Sequence, residues 1–457
     1  MKKTVNVATI GIWHLGAVTS ACFAAYGHNV VGIDQNEKVI ANLNKGIPPI
    51  YEPGLAEMTD DSIKKSNLSF TTDFRSGLIG ADYVAITFDT EVNEDDTPNL
   101  SHILEGIERA VPHLKDGVLL VISSQVPLGT CGQIRSMIRN KRPQLNFGIV
   151  CIPENLKLGE AISRFNSPDL LIIGNESTGD FEKARQLYGF VSGPILNVSL
   201  RTAEMVKHAI NAFLACEISF SNELGNFCDS FGVDWSKVAE ALHLDRRIGK
   251  YAFLSAGLGF GGGTLARDVG VLRSLAKQAD TETALLDAII AVNNKQNREI
   301  SRKLMLLFGK IKGLRIGVLG LTYKPGTSTI RRSASIDIIK ELVNKGVVIR
   351  AYDPKASFSK EDIGTDFDRC KSAEEVAESS NAILILTGWP EFRNIDFGKL
   401  KHKMLNPVII DALNLMDADR MADYGFMYFG IGRGKQITPI SKDADKAETG
   451  NGDSNGT

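Results

Sequence analysis

The chain has 457 residues, a formal net charge of −2 and 43% hydrophobic residues, a composition typical of a globular protein with room for about two to four domains. The near-neutral charge gives no electrostatic basis for binding nucleic acid or an anionic membrane surface. No apolar run approaches the roughly 18 residues that a membrane-spanning helix needs, so we expect neither such a helix nor a secretory signal.

The cysteines indicate a reducing compartment. All six are scattered, and no two of them form a closely spaced pair. This usage is typical of buried thiols in a cytoplasmic protein, and it predicts neither a disulfide framework nor a metal site. The cysteines are Cys22, Cys131, Cys151, Cys216, Cys228 and Cys370.

Strand and helix patterns alternate over the first 200 residues. A short apolar strand, Val5–Ile10, leads through a glycine turn into a helix at Leu15–Tyr26, and a second strand follows at Asn29–Ile33. Each later strand candidate is followed by a polar loop and a helical pattern. This alternation predicts a doubly wound α/β domain with a parallel sheet. The later candidates are Tyr83–Thr87, Val118–Ile122, Phe147–Ile152 and Leu170–Ile173.

The pattern changes at residue 201. Apolar residues recur at helical spacing from Arg201 to about Phe231, and further helical patterns lie at 234–243 and 267–308. A second, shorter α/β unit begins at Leu314, while the tail from Ser441 has too few apolar residues to fold. The sequence therefore predicts two Rossmann-like doubly wound α/β domains joined by a central helical domain with one long helix. The predicted segments are residues 1–200, 201–308, 309–440 and a disordered tail, 441–457.

A candidate dinucleotide-binding turn follows the first strand. Its fingerprint positions are Gly11, Trp13, His14, Leu15, Gly16 and Asp34, and the aspartate lies 18 residues after Gly16. A pyrophosphate at the helix N-terminus and a carboxylate on the ribose favour NAD over NADP. Trp13 stands where the fingerprint has its middle glycine. Two interpretations stay open: the indole flanks a bound cofactor, or it packs on the sheet in an ordinary strand-to-helix turn.

The stretch Gly257–Asp268 reads GLGFGGGTLARD and has five glycines within seven residues. Glycine tracts of this density let the backbone approach a bound group closely. The stretch resembles the GxGFGGSCFPKD loop of the UDP-glucose/GDP-mannose dehydrogenase family. In that family the position of Thr264 is the cysteine that captures the aldehyde intermediate.

The resemblance covers residues 4 to about 434, because further family motifs follow in the same order. It implies an N-terminal NAD-binding domain, a central dimerisation region and a C-terminal UDP-binding domain, and therefore a nucleotide-sugar substrate and a homodimer. The matching motifs are Tyr51–Leu55, Pro153–Leu156, Ala203–Ala215, Asp245–Gly249, Leu321–Pro325, Tyr352–Pro354 and Trp389–Phe392.

The resemblance also implies roles for single residues. Lys207 and Asn211, four apart on one helix face, match residues that hold the reacting sugar and a catalytic water. Asp268 matches the residue that orders this water and supports general-base work, and Glu154 matches a participant in thioester hydrolysis. The resemblance assigns Leu156, Arg247, Phe253, Leu254, Gly259 and Lys324 to the nucleotide sugar, with Arg247 reaching across the subunit interface, and Gln125 and Arg331 to NAD.

The departures from the family cluster on the thioester half of the chemistry. Thr264 replaces the cysteine of the family, and a threonine hydroxyl needs an adjacent base before it can act as a nucleophile. Further family residues are replaced by Gln125, Leu158, Arg267 and Leu413, and the acidic residues of one later motif are replaced by Ser328, Thr329 and Arg332.

Three functions stay open from the sequence. The first is an NAD-dependent enzyme that oxidises a nucleotide sugar once, by two electrons, in the synthesis of polysaccharide or glycoconjugate precursors. The second is a full 6-dehydrogenase that forms a uronic acid through Thr264 or water. The third is a non-catalytic nucleotide-sugar-binding regulatory subunit, which the presence of Trp13 in the cofactor turn suggests.

Overall fold

A computed structural model describes residues 4–92, 98–154, 156–358, 363–435, 437 and 440. By compactness the chain divides into two units, Met1–Ile210 and Asn211–Thr457, and each unit is described by itself. The tail predicted at 441–457 lies outside the described residues, and the predicted segment boundaries stay predictions. Among the helices described, none is long and apolar enough to cross a membrane.

The first unit is built on one sheet. In the part of it that the structure describes, eight strands lie in the order β10-β9-β8-β7-β4-β1-β2-β3. A separate antiparallel pair joins β5 and β6. The strands are β1 (Asn6–Ile10), β2 (Asn29–Ile33), β3 (Leu68–Thr71), β4 (Tyr83–Ile86), β5 (Glu91–Val92), β6 (Pro98–Asn99), β7 (Val118–Ile122), β8 (Phe147–Cys151), β9 (Leu171–Asn175) and β10 (Ile195–Ser199).

The sheet is parallel except at one junction. Strand β8 meets β9 in an antiparallel contact at Cys151 and Gly174, while β9 and β10 are parallel to each other. The predicted parallel sheet is therefore correct for β1 to β4, β7 and β8 but not for the far edge. Apolar spacing reports which face of a strand is buried and not the direction of the strand, so the sequence could not predict this reversal.

Helices cover both faces of this sheet, as a doubly wound domain requires. Successive residues of β1 alternate between the two cores, because Val7 belongs to one apolar cluster and Ala8 to the other. The helices are α1 (His14–Tyr26), α2 (Glu37–Leu43), α3 (Leu55–Lys64), α4 (Phe74–Leu78), α5 (Ser101–Ala110), α6 (Thr130–Lys141), α7 (Ala161–Asn166) and α8 (Thr178–Leu187), with a 3₁₀ turn at Val111–His113.

The predicted long helix is present as α9 (Leu200–Phe231), which has 32 residues. It is followed by α10 (Trp235–Leu244), α11 (Thr264–Gln278), α12 (Ala284–Gln296) and α13 (Arg298–Phe308). The helical pattern predicted over 267–308 is therefore three helices. The first break lies at Asp280, whose φ of 52° is left-handed and ends the helical geometry.

The second unit carries a six-stranded parallel sheet in the order β13-β12-β11-β14-β15-β16 among its described residues. The order reverses between β11 and β14, which is the mark of a second doubly wound domain. Its strands are β11 (Arg315–Leu319), β12 (Val348–Tyr352), β13 (Asp368–Arg369), β14 (Ala382–Ile385), β15 (Val408–Asp411) and β16 (Met427–Gly430). Its helices are α14 (Ala334–Asn344), α15 (Ala373–Ala377), α16 (Phe397–Lys401) and α17 (Ala418–Asp423), with a 3₁₀ turn at Pro390–Asn394.

Candidate cofactor and substrate sites

The turn between β1 and α1 needs two of its glycines. Gly11 has a φ of 91°, and a Cβ there would lie 2.6 Å from the Phe88 ring and 2.9 Å from the Phe88 nitrogen. A Cβ on Gly16 would lie 2.1 Å from the carbonyl oxygen of Gly11. The tight turn and the close helix-to-strand packing of a dinucleotide fingerprint are therefore both present.

Asp34 lies beside this turn, at the end of β2. Its Oδ2 accepts a hydrogen bond of 2.7 Å from the Ile12 nitrogen, and its Oδ1 accepts one of 2.9 Å from the Asn36 nitrogen. Each carboxylate oxygen has a second lone-pair direction for a ribose hydroxyl. The aspartate lines a cavity of about 640 Å³. The cavity residues are Ile10, Gly11, Trp13, Ile33, Asp34, Gln35, Asn36, Phe74, Phe88, Asp89 and His102.

The second α/β domain repeats this turn but closes it internally. Gly320 after β11 has a φ of 99°, and its nitrogen donates to the Tyr352 oxygen as Gly11 donates to Ile33. Asp353 accepts from the Leu321 nitrogen at 2.8 Å, and the same Oδ2 also accepts from the side chains of Thr322 and Trp389. In Asp353, donors from the protein therefore occupy Oδ2, whereas the Oδ2 of Asp34 has one backbone partner. The cofactor-type cavity belongs to the first domain.

Trp13 occupies the turn with a negative φ, so the position does not require a glycine. Its φ of −111° is ordinary for a residue with a side chain, and its indole lines the cavity while remaining 48% exposed. The middle glycine of the fingerprint is therefore not needed for the fold of the turn. The second interpretation of the sequence, an indole packed away on the sheet, disagrees with this exposure.

We expect Trp13 fluorescence to report NAD binding. The other two tryptophans, Trp235 and Trp389, are 2% and 3% exposed, so a ligand in the cavity should quench Trp13 selectively. Replacing Trp13 with Phe should remove the quenching and weaken NAD binding by about threefold to tenfold, because an aromatic contact contributes roughly 0.5–1.5 kcal/mol. Fluorescence and calorimetric titrations measure the two effects.

Ile79→Ala is the control, since Ile79 is exposed and lies outside the cavity lining. Unchanged emission in wild type at calorimetric saturation would contradict the placement of the indole.

The other predicted residues of the first unit lie on several elements. His14 begins α1, with Nε2 3.0 Å from Glu52 Oε2, and Leu15 is buried behind it. Gln125 follows β7, where its carbonyl oxygen accepts from the Thr90 hydroxyl. Glu154 follows β8 and accepts from the Leu156 nitrogen at 2.5 Å. Lys207 is buried on α9.

The second unit brings Asn211 and Asp268 into direct contact. The Asn211 side-chain amide donates to Asp268 Oδ2, and Arg267 Nε lies 3.4 Å from Asp268 Oδ1. Asp268 has no exposed surface, and Asn211 is 5% exposed. The carboxylate therefore has donors on both oxygens. Lys207 and Asn211 are four residues apart on α9, as predicted.

Thr264 is the first residue of α11, after the glycine loop 257–263. It is exposed, and Gly263 at the N-cap position offers no side-chain hydrogen bond to the helix end. Within the described residues the structure shows no hydrogen bond from a basic side chain to its hydroxyl.

Side-chain amides that the sequence did not reveal hold the glycine loop. Asn222 Oδ1 accepts from the Gly257 nitrogen at 2.8 Å, and Asn293 Oδ1 accepts from the Phe260 nitrogen at 2.6 Å. A Cβ on Gly259, a predicted substrate residue, would lie 2.8 Å from that same Asn293 oxygen. Both asparagines lie in segments that the sequence predicts as helices. Their partners were not predictable, because they lie more than 30 residues away in the chain. Gln296 and Asn297 complete the set.

The remaining predicted residues of the second unit are more exposed. The Arg247 guanidinium makes a two-point ion pair with Asp245, at 3.0 and 2.7 Å, which raises the pKa of Arg247. Lys324 follows β11, and its Nζ lies 5.6 Å from the centre of the Tyr323 ring. Arg331 is on the same connection, in the second unit, and is outside the lining of the first unit's cavity.

Phe253 and Leu254 precede the glycine loop and face different surroundings. Phe253 is 50% exposed, whereas Leu254 is 6% exposed. Leu254 lines a second cavity, of about 410 Å³, together with Leu413. One of the departures found in the sequence, Leu413, thus lines the same cavity as a predicted substrate residue.

Three segments match one family along the chain. Residues 5–191 match the UDP-glucose/GDP-mannose dehydrogenase family, NAD binding domain; residues 201–295 match its central domain; residues 317–418 match its UDP binding domain. The chain belongs to this family. The predicted family, the fold class of two Rossmann-like domains with a helical region between them, and the NAD-binding domain are confirmed.

The similarity to members of the family extends over nearly the whole chain. The chain is 36% identical over 435 residues to UDP-glucose 6-dehydrogenase TuaD of Bacillus subtilis (strain 168), which covers 95% of this chain and 94% of that protein. A UDP-glucose dehydrogenase from Pyrobaculum islandicum has a TM-score of 0.84 and 28% identity, covering 94% and 98%. UDP-D-ManNAc dehydrogenase from Pyrococcus horikoshii has a TM-score of 0.83 and 28% identity, covering 94% and 99%.

Proposed function

We propose that this protein oxidises one CH–OH group of a UDP-linked sugar to a carbonyl group, with NAD as the hydride acceptor, in a single two-electron step. The observation that carries the single step is Thr264. Its hydroxyl lies at an exposed helix start and has no base bonded to it among the described residues. The product would serve the synthesis of polysaccharide or glycoconjugate precursors in the cytoplasm.

The cofactor half of the proposal rests on the turn after β1. NAD, when bound, takes the hydride from the carbon that is oxidised. Gly11 and Gly16 allow the tight turn and the close packing that place the start of α1 where a pyrophosphate would bind, Asp34 has lone pairs for a ribose hydroxyl, and Trp13 forms a wall of the cavity. His14, Leu15, Gln125 and Arg331 are the further cofactor residues that we propose.

The oxidation also releases a proton, and a buried polar group supports its transfer. Lys207, Asn211 and Asp268 are each at most 9% exposed. The Asn211 amide and the Arg267 guanidinium both donate to Asp268, which fixes the direction of its carboxylate. We assign proton handling at the reacting sugar to these three residues. Glu154, Leu156, Arg247, Phe253, Leu254, Gly259 and Lys324 complete the proposed sugar-nucleotide site.

The second oxidation needs a nucleophile that adds to the aldehyde. A thiol is partly ionised at neutral pH, whereas a threonine hydroxyl has to lose its proton to a base as it attacks. Asp268 lies four residues further along α11, but its oxygens accept from Asn211 and Arg267 and it has no exposed surface. An ester on Thr264 is therefore not supported by the geometry of this helix.

Stoichiometry tests the single oxidation. Purified protein with NAD and a panel of nucleotide sugars, including UDP-glucose and UDP-N-acetylhexosamines, should form one NADH per sugar. The product should be lighter by two hydrogens. NADH absorbance and product mass are measured together. Two NADH per sugar and a uronic acid would overturn the single step.

A full 6-dehydrogenase is the second candidate, because TuaD carries that name and is 36% identical over nearly the whole chain. Thr264→Ala separates its two routes: loss of acid formation would identify Thr264 as the nucleophile, and retention would identify water. The absence of NAD binding at millimolar concentration in calorimetry would instead favour the regulatory subunit.

We further propose a homodimer formed through α9. Phe213, Phe220 and Phe227 follow one another at seven-residue spacing, and they are 65%, 48% and 59% exposed. This spacing places large apolar side chains along one face of the helix, which is typical of a surface that another helix covers.

Light scattering after size exclusion measures the subunit number. We expect a dimer, and we expect Phe213→Asp combined with Phe227→Asp to give a folded monomer, because the charges would be desolvated in the interface. Ile79→Asp, on an exposed residue of the first unit, should leave the dimer intact. A wild-type monomer at micromolar concentration would contradict the proposal.

A further inference from the structure

Glu52 is a buried carboxylate outside the residues assigned so far. It lies in the turn that leads into α3, where its carbonyl oxygen accepts from the Leu55 nitrogen. The residue is 4% exposed. In the described part of the chain no lysine or arginine pairs with it, and its side-chain partner is His14. A carboxylate in such a place must be stabilised by the hydrogen bonds that it accepts.

Three donors converge on this carboxylate. His14 Nε2 and the Gly159 nitrogen lie 3.0 and 2.9 Å from Oε2, and the Ala161 nitrogen lies 2.8 Å from Oε1. His14 is the first residue of α1, and Ala161 is the first residue of α7. Helix α1 also packs against α3 and α7. One side chain therefore joins the starts of two helices to the turn before a third.

The two joined segments have different predicted tasks. His14 follows Trp13 in the cofactor turn, at the helix end where a pyrophosphate would bind. Gly159 and Ala161 lie at the end of the loop that carries Glu154 and Leu156. A turn from Lys157 to Glu160 links the two halves of that loop. At its other end this loop is fixed by β8. Glu52 thus connects His14 to the end of the loop of Glu154 by hydrogen bonds.

We propose that Glu52 is a positioning residue that couples the cofactor turn to the substrate loop 154–161. This inference rests on the proposed dehydrogenase function. Binding of NAD at the turn fixes His14, His14 fixes the carboxylate, and the carboxylate fixes the end of the substrate loop. Because coupling between two binding sites is reciprocal, the nucleotide sugar strengthens NAD binding through the same contacts.

Binding measurements on His14 variants test the coupling. His14→Phe keeps a ring but loses the donor, so NAD should bind about tenfold more weakly, a factor within the usual range of coupling between sites. The KM for the nucleotide sugar should rise by a similar factor, while kcat changes less than twofold. His14→Gln places an amide donor near the position of Nε2 and should restore both constants. In the double variant with Glu52→Gln, the effects should not add.

Hydrogen–deuterium exchange gives a readout that does not depend on turnover. NAD should slow exchange over residues 156–161 in wild type but not in His14→Phe, and Glu52→Gln should speed exchange there even without NAD. Glu57→Gln is the matched control, because Glu57 lies on α3 close to the same turn as Glu52 but is exposed. It should leave the NAD affinity and the exchange at Gly159 and Ala161 unchanged.

The outcomes separate this inference from the proposed function. Unchanged NAD affinity, KM and loop exchange in His14→Phe, with only a lower Tm, would mean that the contact is merely structural and would overturn the coupling. Wild-type protein that fails to bind NAD would overturn the dehydrogenase function and the coupling to NAD with it. Unchanged exchange in Glu52→Gln would overturn the role of the carboxylate even where NAD binds.

Discussion

Replacing Asp268 with Asn is expected to lower the rate of sugar oxidation by about 10²- to 10⁴-fold, the usual contribution of a positioned acid–base group. The carboxylate would become an amide that faces the Asn211 amide and no longer balances the charge of Arg267. The proposed proton path through Lys207, Asn211 and Asp268 would then lack its only anion. NADH formation at saturating NAD and nucleotide sugar measures the loss.

The control separates chemistry from folding. NAD titration should give the wild-type affinity in Asp268→Asn, since the cofactor cavity belongs to the first unit. Asp287→Asn removes an aspartate of α12 that pairs with Arg273 of α11, the helix that carries Asp268, but both side chains are about half exposed, at 50% and 45%. This variant should keep the wild-type rate, because exposed ion pairs contribute little. A rate for Asp268→Asn within threefold of wild type would contradict the assignment.

The fold was largely predictable because its elements are strongly periodic. Val118–Ile122 agrees with the predicted strand at both ends, since a strand buried on both faces is a continuous apolar run between polar loops. The strand β10 (Ile195–Ser199) was missed. It lies at the sheet edge, and three of its residues, Leu196, Asn197 and Ser199, are exposed, so no apolar pattern marks it.

The cofactor turn was predictable for a local reason. Its parts, from Gly11 to Asp34, lie within 24 residues, and each part acts through backbone geometry that a sequence spacing encodes. The amide side chains that hold the glycine loop were not predictable in the same way. Asn222 and Asn293 bond to backbone atoms of Gly257 and Phe260 across more than 30 residues, and an asparagine on a helix is ordinarily a solvated residue.

Three family motifs of the C-terminal domain meet at the carboxylate of Asp353. The family motifs at Leu321–Pro325, Tyr352–Pro354 and Trp389–Phe392 are far apart in sequence. The nitrogens of Leu321 and Thr322 donate to Asp353 at 2.8 and 3.0 Å, and Trp389 Nε1 donates at 3.0 Å. The motifs thus meet at one side chain, which joins β11, β12 and the connection after β14.

Replacing Asp353 with Ala is therefore expected to destabilise the second unit by about 3 kcal/mol, because buried donors lose their acceptor. The corresponding Tm would fall by roughly 6–12 °C, as for a domain of this size. Asp353→Asn keeps one acceptor oxygen and should lose about half as much. Calorimetric or circular-dichroism melting measures the shift. Asp419→Asn, on an exposed residue of α17, is the control and should melt like wild type.

The pH dependence gives a second test of the same carboxylate. Burial alone would raise the pKa of Asp353, but the hydrogen bonds from Leu321, Thr322, Lys355 and Trp389 outweigh burial and lower it. A folded-state pKa below the unfolded value of about 3.9 means that the ionised carboxylate stabilises the fold above that pH. The contribution is lost as the pH falls through the folded pKa. The Tm difference between wild type and Asp353→Asn should therefore be constant from pH 7 to about 5 and shrink below about pH 4. A difference that grows on acidification, or a Tm for Asp353→Ala within about 2 °C of wild type, would contradict the role of Asp353 as the acceptor that joins the three motifs.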